Sequence, residues 1–88
     1  MESRMKDATT SNEVALLGDL TDHGGQVIEA AANLTHLGVR VALDGHLVKC
    51  PDCGGAWPII ATGRTTHAGR RVALIGDRTA CGATLIRA

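Results

Sequence analysis

Four residues of this chain carry side chains that bind soft metal ions at a spacing that could bring them together: His23, Cys50, Cys53 and Cys81. Three of them hold one place in a phrase that is stated three times. His23 follows Val14-Ala15-Leu16 at nine residues from its valine, as Cys50 follows Val41-Ala42-Leu43 and Cys81 follows Val72-Ala73-Leu74. Donors in register point to one shared site. Cys53 completes a Cys50-Pro51-Asp52-Cys53 knuckle, a spacing that lets two thiolates reach one metal at about 2.3 Å. Four such ligands make a closed tetrahedron with no position left for water, the pattern of structural rather than catalytic zinc. The expectation is therefore one structural Zn2+ per chain, no catalytic residues and no enzyme activity.

Blander roles compete for each residue. His23 alone would read as an exposed turn histidine, Cys50 and Cys53 as a redox dithiol, and Cys81 as a small buried hydrophobe. Register, and the lack of a βαβ pattern around the knuckle, favour the metal. His36 and His67 recur in register and His46 lies four residues before Cys50, yet all three stand near glycines at strand ends and read as structural residues rather than substitute ligands. Asp19 and Asp77 read as turn residues, and Trp57 as a packing residue or a base contact.

The elements that must position these ligands have little to work with. The chain has 88 residues, 11 glycines, one Trp and no Phe or Tyr, so one thin-cored domain is expected, and such a domain needs a staple. Nine basic residues balance nine acidic ones, which leaves no broad basic surface for nucleic acid. An odd count of three cysteines fits a thiolate site made in a reducing compartment better than a disulfide framework. Neither a signal-peptide pattern nor an apolar run of about 20 residues occurs, so synthesis in the cytoplasm, with export only by a dedicated machine, is expected.

Residues 1–12 are polar and aperiodic and read as a flexible leader, with the domain at 13–88. Glu13–Leu17 reads as a strand entering a turn at Gly18. Gln26–Leu34 has helical spacing and helix-favouring alanines, but its counterpart Ala56–Gly63 reads as a strand, and equivalent positions in repeats share a conformation. Strand is predicted for both. Thr35–Gly45 matches Thr66–Gly76 at an offset of 31 with eight identities in eleven positions, whereas the first and second phrases lie 27 apart. Glycine-bounded repeats of this period predict hairpins around an axis: a small, mostly β, conical, pseudo-threefold domain with the metal near its apex.

The Gly18-Asp19-x-Thr21-x-His23-Gly24-Gly25 opening, the Cys50-Pro51-x-Cys53-Gly54 centre and the Gly76-Asp77-x-Thr79-x-Cys81-Gly82-Ala83 close resemble the PAAR-repeat family over about residues 13–88. That resemblance implies the sharpened tip of a type VI secretion spike or a related contractile injection machine. It implies zinc on His23, Cys50, Cys53 and Cys81, with Cys53 standing where members often have a second histidine. It also implies a base that caps a trimeric β-helical spike protein at one tip per trimer, delivery out of the cell, brief contact with a target membrane and separately bound effector proteins. The chain ends soon after its third unit, so no fused effector is expected. Arg40-Val41-Ala42-Leu43 and Arg71-Val72-Ala73-Leu74 replace the namesake Pro-Ala-Ala-Arg, and His46 stands where the family usually has an aspartate. The alternative is a zinc-ribbon-like module binding nucleic acid or protein, which would share the zinc but not the threefold repeat.

Overall fold

Apolar stretches of three to five residues cut by glycine can only form short strands, and the computed structural model, which describes residues 4–7, 12–52 and 54–88, contains ten of them. In chain order they are β1 (Leu20–Thr21), β2 (Gln26–Val27), β3 (Thr35–His36), β4 (Val39–Arg40), β5 (Leu47–Lys49), β6 (Ala56–Ile60), β7 (Thr66–His67), β8 (Arg70–Arg71), β9 (Arg78–Thr79) and β10 (Leu85–Ile86). No helix occurs among the described residues. The strand predicted over Gln26–Leu34 is confined to β2; residues 28–34 are loop and turn, neither strand nor the helix that their alanines favour.

Three hairpins, β1–β2, β5–β6 and β9–β10, stand side by side in the antiparallel order β10-β1-β2-β5-β6-β9. An Arg78↔Thr84 bridge brings β9 back to the last hairpin's return strand, so the sheet is a nearly closed barrel. Closure leaves almost no unpaired edge. The seams between hairpins are equivalent: Val27↔Val48, Ile59↔Thr79 and Leu85↔Thr21.

Below the barrel the three Val-Ala-Leu stretches form a triangle. The Ala15 N–H donates to the Ala73 carbonyl (2.8 Å), the Ala42 N–H to Ala15 (2.9 Å) and the Ala73 N–H to Ala42 (2.9 Å), which closes a ring. Bridges Val14↔Leu74, Leu16↔Val41 and Leu43↔Val72 join its corners. Side chains alternate across an extended backbone, so the ring divides the core. The alanines, each 0% exposed, pack with Val27, Val48, Ile59 and Leu85 of the barrel, while the valines and leucines pack with Ala31 and Leu34 on the other face. Principal extents of 31, 30 and 24 Å have the two matched axes that a threefold arrangement gives.

On the valine-leucine side, β3–β4 and β7–β8 are two-residue hairpins. Their loops, Leu37-Gly38 and Ala68-Gly69, have positive φ at both positions, as a type I′ turn requires. The third place is taken by the start of the chain, where Lys6 bridges Glu13 and the Val14 N–H donates to the Met5 carbonyl (2.8 Å). Of residues 1–12, expected as a flexible leader, the described ones are built into the domain. Asp7 is 2% exposed, and the Arg4 guanidinium reaches both oxygens of buried Asp19 at 2.6 and 3.3 Å.

Candidate metal centre

Three of the expected ligands stand in turns of the barrel hairpins. His23 lies between β1 and β2, Cys50 between β5 and β6, and Cys81 between β9 and β10. Since the three hairpins are neighbours in one ring, their turns share the end of the barrel away from the alanine triangle. The turns are locked in a common way. The Thr21 hydroxyl oxygen accepts from the Gly25 (2.8 Å) and His23 (3.3 Å) amides, and that of Thr79 accepts from the Ala83 amide (3.2 Å) and lies 3.0 Å from Cys81 Sγ. Both threonines are buried. The position equivalent to Ala83 in the first hairpin is Gly25, where a Cβ would run into the Lys49 carbonyl oxygen, and only glycine admits that strand.

The donors differ in their surroundings. Cys50 is fully buried. The His23 ring is one-third exposed at its edge, with Nε2 3.8 Å from an Asp22 carboxylate oxygen, while Nδ1 is buried and has no hydrogen-bond partner among the described residues. A buried ring nitrogen without a partner is costly and suits a metal ligand, and a carboxylate beside the other nitrogen is a common second contact in such sites. Cys53 lies outside the described residues. Among those described, no three His, Cys, Asp or Glu side chains are gathered so that they could hold a metal. The described donors nonetheless fit zinc in kind: one imidazole and two thiols on turns at one end of the barrel.

The remaining histidines have other partners. His46 Nδ1 accepts the Leu43 N–H (2.9 Å), just as Asp19 accepts from Leu16 (2.8 Å) and Asp77 from Leu74 (2.9 Å). His46 is thus the imidazole version of a turn-locking acceptor used three times. Burial, then the positive charge of Arg70 and Arg40 with Glu29 opposing, holds its pKa below the ordinary 6.5. His36 Nε2 accepts the Met5 N–H (2.7 Å), and His67 Nε2 meets Asn33 Oδ1 (2.9 Å). Trp57, half-buried on β6, donates to the Gly54 carbonyl (2.8 Å), beside the ligand turn rather than at the opposite face.

The PAAR motif family matches residues 17–87 of the 88. No curated protein matches the chain.

Proposed function

The chain belongs to the PAAR motif family, and from that premise we propose that it is the tip of a type VI secretion spike or a kindred contractile injection machine, capping a trimeric spike protein at one chain per trimer. The observation that carries this reading is the closed Ala15-Ala73-Ala42 ring. One chain meets three identical chains with equal contacts only if it offers three similar faces, and the ring is where this chain builds them. PAAR proteins are structural spike components, and no catalytic step is part of this reading.

His23, Cys50, Cys53 and Cys81 would hold the zinc. Bound there, it would tie the three hairpin turns together at the end of the barrel away from the alanine triangle. Structural zinc contributes about 10–16 kcal/mol of apparent folding free energy, against about 5–15 kcal/mol for the whole stability of a typical domain. A point driven through a membrane with its spike depends on that staple more than on its core. Made in the cytoplasm, the protein would leave with the spike and carry effectors as separate chains.

The purified chain should bind a purified trimeric spike protein from the same host, and a first copy should block a second at the same end. No binding, or continued loading beyond one copy, contradicts capping. Zinc-ribbon behaviour would instead appear as nucleic-acid or peptide binding independent of the spike.

A further inference from the structure

We propose that residues 4–7 and 12–14, which precede the matched motif, are the third of three corners by which the face opposite the ligand turns seats on its threefold-symmetric partner. The inference rests on the capping reading. Units two and three each place a hairpin, β3–β4 and β7–β8, just before their Val-Ala-Leu stretch. Both hairpins lie inside the matched span of 17–87, so the motif alone carries two corners. A partner with three equal chains would find the third place bare.

The arm fills that place with the same connections. Lys6↔Glu13 pairs as Thr35↔Arg40 and Thr66↔Arg71 do. The bond that ties each corner to its strand also recurs, from Val14 to the Met5 carbonyl (2.8 Å), Val41 to Leu34 (2.9 Å) and Val72 to Thr65 (2.8 Å). Each corner then reaches one unit round the ring, always from the residue after the bridged one. Asp7 accepts from the Thr65 hydroxyl (2.7 Å) and the Thr65 and Arg64 amides (3.1 and 3.3 Å), His36 from the Met5 amide, and His67 bonds Asn33. Unit one thus holds unit three, unit two holds unit one, and unit three holds unit two. This cycle includes the arm as an equal member, which a passive leader would not require.

Leu34, which leads into β3, packs on the valine-leucine cluster, so the corners lie on the side of the ring away from the barrel. Lys6, Thr35 and Thr66 are equivalent and exposed, and a carboxylate added at any of them puts a new charge into the proposed interface; Arg40 and Arg71 stand across from the second and third, and Glu13 from the first. Lys6→Glu, Thr35→Glu and Thr66→Glu should each weaken binding to the purified host trimeric spike by about tenfold or more. Thr35→Glu and Thr66→Glu should melt with the wild type. Lys6→Glu faces Glu13, so Lys6→Trp, which adds bulk without that repulsion, should weaken binding as Lys6→Glu does, and Gln26→Glu, exposed on the barrel flank, should bind as wild type does. If Lys6→Glu binds normally while the other two are weakened, or if none of the three is weakened, the arm is not a docking corner and capping itself stands. Failure of the wild-type chain to bind the spike would instead sink the capping reading on which this inference depends.

Discussion

Replacing His46 by Asn isolates the one turn lock that titrates. Asn puts an amide oxygen near the place of Nδ1, so the Leu43 N–H keeps an acceptor but the side chain no longer ionises. In the wild type, protonating Nδ1 removes the acceptor from a backbone N–H whose residue is 3% exposed. The loss is about 1 kcal/mol, taken at the middle of the range for a single hydrogen bond because the ring itself is partly exposed. The fold lowers the His46 pKa from 6.5, chiefly through burial and Arg70, so the unfolded chain takes up the proton first. Stability from this bond is complete above that value and erodes as the pH falls below it. Thermal melting of both proteins at pH 7.5 and 5.5 reads the difference. The acid-induced drop in Tm should be smaller in His46→Asn by roughly 4–8 °C, the shift that 1 kcal/mol gives a domain of this size. Every group other than residue 46 is common to the two proteins and cancels in the comparison. Equal drops would refute the reasoning.

Other perturbations test separate joints. Arg4→Ala strips the partner from a carboxylate 2% exposed, which costs about 3 kcal/mol or more, so urea unfolding should show a markedly lower midpoint; an unchanged midpoint would return residues 4–7 to the status of a leader. Gly25→Ala forces a methyl against the Lys49 carbonyl and the Thr21 hydroxyl and should cost about 1–3 kcal/mol, read in the same way, and a neutral result would mean that β5 has room to move. Individual loss of His23, Cys50, Cys53 or Cys81 should remove zinc, measured by elemental analysis, and lower Tm steeply, whereas zinc-free protein of unchanged Tm would end the staple argument.

Much of this arrangement was legible in the sequence because the repeat is written in residues with narrow roles. Val-Ala-Leu predicted three equivalent strands, and the same phrase proved to be the axial triangle. Gly38 and Gly69, at the same place in their repeats, marked hairpins. Alanine-rich 26–34 invited a helix; reading it against its proline-bearing counterpart removed the helix but carried the strand too far, since only 26–27 pair as β2. The arm was missed for a physical reason. In unit one the corner residue Asp7 stands seven positions before its valine, whereas His36 and His67 stand five before theirs, and a carboxylate replaces the imidazole. A longer loop and a changed acceptor hide the equivalence from any constant-offset comparison. The histidine at position 46 was easier, because it lies five residues after Val41 as Asp19 and Asp77 lie after Val14 and Val72. Cys53 breaks the repeat, so its place beside the other donors rests on the knuckle spacing alone.

Native mass spectrometry of the chain bound to its purified trimeric spike weighs both halves of the proposed function in one spectrum. The predicted species is one chain and one zinc ion on three spike subunits. Three chains per trimer, or a bound chain free of metal, would contradict it.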